Sequence, residues 1–319
     1  MSEVTLYRTH DLNPAAPEST GARLYAAFLA GRSVHTREAY TRDLIAFAEF
    51  AGAQTPAAAL GQLLCLGHGD ANGALLAYRA HMSEAGLTPA TINRRLSAVR
   101  SAVKLARTLG HTTWAPEVDG LKAQAYRDTL GPGLEGTRAM LNAAREQDST
   151  KAARDVALIR LMFDLGLRRG EIAGLDLADL DAPGRRVWIK GKGRAQKEAR
   201  TIPEQTLAAV LAWIDARASV AVTGEAAMFV GLAGPVLGKR ITGRGLHHVI
   251  ATLGDGVGIK TRPHGLRHAS ITAALDANGG DVRAVQQHAR HANPQTTMRY
   301  DDNRRDLAGR VAQGLAGIL

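Results

Sequence analysis

His264, Arg267, His268, His291 and Tyr300 fall within one stretch, PHGLRHASITAALDANGGDVRAVQQHARHANPQTTMRY, which begins at Pro263. His264 and Arg267 are three residues apart at the head of a helical pattern, and an i, i+3 pair shares one helix face. A guanidinium there offers a planar fork of donors that matches two oxygens of a phosphodiester and stays charged at any working pH. Tyr300 supplies an attacking oxygen. A phenol of ordinary pKa about 10 is a weak nucleophile until a base takes its proton and cations hold the charge that builds on the phosphoryl oxygens.

Two further pieces lie upstream: LMFDLGLRRGEIAGL at 161–175, with Arg168 and Glu171, and VWIKGKGRAQKEARTIP at 187–203, with Lys192. Taken alone, Arg168 and Glu171 read as a surface ion pair and Lys192 as an exposed turn lysine. Taken with the downstream stretch, GLRxxE, a GKG turn, HxLRH and H-x8-Y stand in one order. In that order and spacing the chain resembles the tyrosine site-specific recombinases, also called the phage integrase family, closely over 150–302 and more loosely before it.

The resemblance selects Arg168 over its neighbour Arg169 and implies that Arg168, Arg267 and His291 hold the scissile phosphate. It further implies that His264 accepts or shares the proton of Tyr300, with Glu171 bracing Arg168 and His268 behind the site. Lys192, between two glycines, can swing its titratable ammonium toward a departing 5′-oxygen as general acid, with Lys190 and Lys197 as competitors. Where the family commonly has Leu-Gly before the last histidine, this chain has Ala289 and Arg290.

Rival chemistries fare worse. His264 with His268, and His288 with His291, have spacings that could give zinc ligands. A hydrolytic zinc helix, however, carries a glutamate after its first histidine, where Gly265 stands, and Arg267 would repel a dication. No metal is expected. Neither GPVLGKR nor IKGKGR meets the GxxxxGK[ST] spacing of a nucleotide phosphate loop, so no nucleotide cofactor is implied, and a phosphotyrosyl bond conserves the energy of the broken phosphodiester in any case.

At 319 residues two domains are the expectation. The balance of 40 Lys+Arg to 30 Asp+Glu, and a pI of about 10.1, suits a polyanionic partner, although 32 of those 40 cations are arginine in an Ala- and Gly-heavy chain and coding bias could contribute. The single cysteine, Cys65, excludes an internal disulfide framework and reads as a buried thiol in AALGQLLCLG. No secretory h-region opens the chain and no run of about 18 apolar residues occurs, so the expectation is a cytoplasmic protein without a membrane span.

Residues 1–17 read as an extended arm and 18–110 as a helical core-binding domain, with helices from near Thr20, from a cap at Thr36, and over 56–66, 70–85 and 89–109. In the last of these Ile92, Leu96, Val99 and Val103 form an apolar stripe, while Asn93, Arg100, Lys104 and Arg107 line up beside it as a candidate DNA-contacting face. Residues 111–136 are read as a linker. From 137 to 319 a catalytic domain is expected: a helix capped by Thr137, a second over STKAARDVALIRLMFDLG, a hairpin of RRVWIK and EARTIP, a helix at PEQTLAAVLAWIDA, a strand at AAMFVGL, and helices beyond. The fold class is mainly α with a small antiparallel sheet.

The whole reads as a DNA strand transferase that clamps duplex DNA, cleaves it through a 3′-phosphotyrosine and exchanges strands between two sites. A type IB topoisomerase-like enzyme and a catalytically silent DNA-binding relative are the alternatives. The resemblance also implies a homo-oligomer, a tetramer in the synaptic complex. The tail supports this, because Leu307, Val311, Leu315 and Ile318 share one face of a short amphipathic helix suited to exchange between protomers.

Overall fold

The computed structural model describes residues 17–122, 131–191, 196–298, 300 and 307–318. Its contacts divide the chain into two compact units, before and after residue 126.

The first unit is helical: α1 (Pro17–Leu29), α2 (Val34–Phe50), α3 (Pro56–Cys65), α4 (His68–Glu84) and α5 (Pro89–Thr108). Thr55 and Thr88 each cap a helix whose first residue is proline, a position that needs no backbone donor. The expected stripe of α5 is buried, with Ile92, Leu96, Val99 and Val103 at 1% exposure or less, against Leu44, Phe47 and Tyr78. Two local expectations are corrected. The cap of α2 is Ser33, whose hydroxyl accepts from Thr36 N, so the helix begins three residues earlier than a Thr36 cap would allow. Cys65 is exposed, because it closes α3 after the inward-facing Leu60 and Leu63.

The second unit begins with α6 (Gly133–Arg145), α7 (Ser149–Asp164) and the short α8 (Arg169–Ala173). Thr137 is not a cap. Pro132 and the positive-φ glycines 131 and 133 start α6 earlier, and the Thr137 hydroxyl donates to Gly133 O from one turn inside. A three-stranded antiparallel sheet follows, β1 (Leu180–Asp181), β2 (Arg186–Lys190) and β3 (Lys197–Thr201), in the order β1-β2-β3. Val187 and Ile189 point into the core while Arg186, Trp188 and Lys190 face out, the alternation of a half-buried strand. At two residues β1 is too short to leave a sequence signal.

Next come α9 (Glu204–Arg217), α10 (Gly243–Gly256), α11 (Pro263–Ala277), α12 (Val282–Ala289), α13 (Pro294–Met298) and α14 (Leu307–Ala316). The strand expected at 226–232 is instead a buried extended segment with isolated bridges only. Its backbone divides its hydrogen bonds between two neighbours, with Met228 N to Leu175 O and Leu177 N to Ala226 O on one side and Ile241 N to Phe229 O and Gly231 N to Lys239 O on the other, so it makes short bridges and joins no sheet. Met228, Phe229 and Val230 fill the core beside Trp213, whose indole N–H donates to Met228 O at 2.8 Å. The fold is mainly α with one small sheet, and among the described residues no helix is long and apolar enough to cross a membrane.

Candidate active site

Gly166 turns the chain out of α7 with φ +57, a conformation that favours glycine, and an added Cβ there would press on His288 Nε2 at 3.1 Å. The bend delivers Arg168 as the cap of α8. Glu171 reaches back to it: one carboxylate oxygen accepts from Arg168 N at 2.8 Å and the other from Arg168 Nη1 at 2.9 Å. The Glu171 carboxylate thus caps the start of α8 and holds the Arg168 guanidinium, whose side chain stays 34% exposed. The Glu171 side chain is 3% exposed.

On α11, Pro263 starts the helix and Gly265 lets it press against the turn before α6, where even a Cβ on Gly131 would fall 2.2 Å from Gly265 O. Arg267 is 2% exposed. Its Nη1 donates to Gly166 O and its Nη2 to Ala289 O, so one guanidinium bolts the bend before Arg168 to the last residue of α12. Each Nη nitrogen keeps a second N–H for another acceptor.

Helix α12 ends on Arg290 in the left-handed conformation (φ 53, ψ 45), with His291 N donating to Gln286 O in the manner of a glycine-terminated helix. A side chain there costs about 1–2 kcal/mol relative to glycine. The turn presents His291, whose Nδ1 lies 2.9 Å from the hydroxyl of the fully buried Thr297. With that hydroxyl donating, the ring proton sits on Nε2, the nitrogen left for an anionic partner. The Tyr300 ring packs against those of His268, at 4.6 Å between centroids, and His291, at 5.7 Å.

The electrostatics follow from burial among cations. Burial, then Arg267 and Arg168, hold the His264 imidazolium form down. Burial and the same arginines push His291 to about 4. Both rings are therefore neutral at pH 7, one able to accept a proton and the other to donate a hydrogen bond without one. Burial raises the Tyr300 phenol, opposed by Arg267 and Arg168, so the resting nucleophile is protonated. Arg267 itself falls to about 10, through burial and then Arg168, and remains charged. A cleft of about 460 Å³ opens here, lined by Arg168, Arg169, His247, Arg262, His264 and Arg267, with no carboxylate among its described lining residues. It is built for an anion.

The structure thus brings Arg168, Glu171, His264, Arg267, His268, His291 and Tyr300 together. Lys192 lies outside the described residues. Of its competitors, Lys197 is held by Asp179, with Asp176 at 3.7 Å, whereas Lys190 is exposed at the end of β2. In the α5 stripe Lys104 and Arg107 are exposed and Arg100 half-buried, but the Asn93 amide is taken at both ends by the backbone of Leu121, at 2.8 and 2.7 Å. That contact explains why an asparagine sits beside the basic residues. Thr297, His247 and Arg262 carried no sequence signal, and Arg290 stood out only as a departure before His291; the contacts that give each its meaning are made by the fold.

Residues 135–306 match the phage integrase family, and residues 23–108 match the phage integrase N-terminal SAM-like domain. The chain is 36% identical to a tyrosine recombinase of Synechocystis sp. over 90% of its own length and 92% of that protein. It is 34% identical to tyrosine recombinase XerC of Mycobacterium tuberculosis, over 86% of this chain and 90% of the other. Among solved structures, the fold is similar to the Tn1549 transposon integrase in complex with transposon right end DNA, with a TM-score of 0.70 at 16% identity, covering 95% of this chain and 100% of that one. It is also similar to the XerH site-specific recombinase bound to palindromic difH substrate, with a TM-score of 0.63 at 18% identity, covering 88% and 80%. The chain belongs to the phage integrase family, the tyrosine recombinases.

Proposed function

We propose that this protein is a site-specific DNA recombinase acting in the cytoplasm, and that Tyr300 is its nucleophile. The observation that carries the reading is a tyrosine packed against the rings of His268 and His291, within the field of two arginines, beside a cleft lined by four arginines. In the proposed reaction the Tyr300 oxygen bonds to phosphorus as its proton passes to His264, and the phosphorus–O5′ bond breaks as Lys192 gives that oxygen a proton. A 3′-phosphotyrosine and a free 5′-hydroxyl result. Attack by a 5′-hydroxyl from a partner duplex reverses the step and joins new ends. Arg168, Arg267 and His291 hold the phosphoryl oxygens, and the catalysis is positioning and electrostatics. Arg100, Lys104 and Arg107 contact the duplex from α5.

The test begins by sequencing the genomic DNA the protein retains, then uses that site in nicked duplexes that trap the cleaved state. Covalent adduct followed by joining of strands from two duplexes supports recombination. Adduct with rejoining confined to one duplex indicates a topoisomerase-like enzyme, and binding without adduct indicates a silent relative.

Lys192 is needed only while its leaving group is poor. Lys192→Ala therefore loses cleavage of an ordinary site and recovers most of it when the bridging 5′-oxygen is replaced by sulfur, whose thiolate departs unaided. Rescue of Lys190→Ala or Lys197→Ala in its place moves the proton donor to that neighbour.

The oligomer rests on α14. Leu315 is 60% and Ile318 79% exposed, apolar side chains left uncovered at the tail. Docking them on a neighbouring protomer in a closed head-to-tail ring of four buries several aliphatic groups, worth a few kcal/mol at about 25 cal/mol per Å². Truncation after Arg305 then leaves a folded monomer that binds one DNA site but forms no synapse in a gel-shift or pairing assay. Loss of the thermal transition, or normal strand exchange, would show that the helix serves its own chain or is dispensable.

A further inference from the structure

Arg290 stands where a glycine would end α12 without strain, yet its side chain is 5% exposed and turned inward. Its Nη2 donates to the second oxygen of Glu171 at 2.5 Å, the oxygen that also accepts Arg168 N. In return Arg168 Nη2 lies 3.4 Å from Arg290 O, a carbonyl that the left-handed turn aims back at it. Two contacts therefore join residues 122 positions apart, one through the carboxylate and one direct. The guanidiniums of Arg168 and Arg290 share one buried carboxylate whose charge Arg267 also feels, and Arg290 Nε and Nη1 have no hydrogen-bond partner among the described residues. A left-handed backbone, a buried charge and two unpaired donors are all costs to folding, so stability alone does not account for the side chain.

Resting on the reading of this cleft as the scissile-phosphate site, we propose that Arg290 is a positioning residue. Through Glu171 it locks the start of α8, which carries Arg168, to the end of α12, which carries His291, so that the two phosphate-facing groups move as one unit. Arg267 bolts the same two segments at Gly166 and Ala289, immediately beside the Arg168 and Arg290 pair. The two bolts divide the work. Arg267 also lines the cleft, whereas the Arg290 side chain does not and meets Arg168 through Glu171. A glycine at 290 would supply the turn but not the lock.

Single-turnover adduct formation on the nicked site duplex, with duplex affinity measured separately, tests this in the full-length protein. Wild-type adduct is the control, and its absence would overturn the phosphate-site reading itself rather than the role of Arg290. R290G is expected to bind the duplex within a few-fold of wild type and to cleave about ten- to a hundredfold more slowly, the loss typical of a displaced reacting geometry. E171Q is expected to be slow as well, and R290G added to E171Q to cost little more, because the arginine acts through the carboxylate. R290K and R290Q carry the same backbone strain, so the lysine variant must be the faster of the two, even if R290G folds poorly. Wild-type cleavage by R290G, equal rates for the lysine and glutamine variants, full additivity with E171Q, or a defect confined to affinity and its salt dependence would each overturn the assignment. The last would mean that Arg290 grips DNA directly.

Discussion

Tyr300→Phe is expected to retain specific duplex binding and to form no covalent protein–DNA adduct. The ring's packing against His268 and His291 survives the change, because both contacts are made by the aromatic face. So does its place on the apolar patch of Ile271, Leu275 and Val285. Only the oxygen is lost. One hydroxyl contributes about 0.5–1.5 kcal/mol through a hydrogen bond, so affinity for the site changes by about tenfold at most. Cleavage has no such floor, since the phenolic oxygen is the proposed attacking atom and phenylalanine has none. Gel-shift affinity and denaturing-gel adduct yield, measured on the same duplex, separate the two effects. Undiminished adduct in the Phe variant would remove Tyr300 from the chemistry.

Arg267→Lys is expected to lower cleavage on the order of a hundredfold or more and to lower the thermal transition too. The rate loss follows from replacing a planar fork by one ammonium on phosphoryl oxygens that move in the transition state. The stability loss comes from a second duty visible only in the fold. The guanidinium satisfies the carbonyls of Gly166 and Ala289 together, and a lysine reaching one leaves the other buried and unpaired, a cost of about 1–3 kcal/mol. Rapid-quench cleavage and thermal melting read these separately. A Lys variant that cleaves within a few-fold of wild type would show that Arg267 does not hold the phosphate.

Much of the site was legible because its members keep short, fixed spacings. Arg168 and Glu171 are three apart and form a helix cap, and His264, Arg267 and His268 occupy the first turns of one helix. The apolar stripe of α5 and the alternation of β2 were legible for the same reason, a period expressed within a few residues. What escaped is non-local. Arg290 looked like a departure at a glycine position, and only the fold brings it to Glu171, 119 residues away. Thr297 is a local exception, six residues from His291, where no regular period marks that the two side chains meet. The segment 226–232 has a strand's composition but meets two different partners, so it makes short bridges and joins no sheet. Cys65 sits in an apolar run yet faces out, because a run says nothing of which residue a helix turns away.

The central claim is that Tyr300 itself becomes linked to DNA. Wild-type protein trapped on a nicked site duplex, digested with nuclease and protease and sequenced by mass spectrometry, should yield the peptide containing Tyr300 with a nucleotide 3′-phosphate on the phenolic oxygen. A nucleotide on any other residue, or one joined through its 5′-phosphate, would contradict the account.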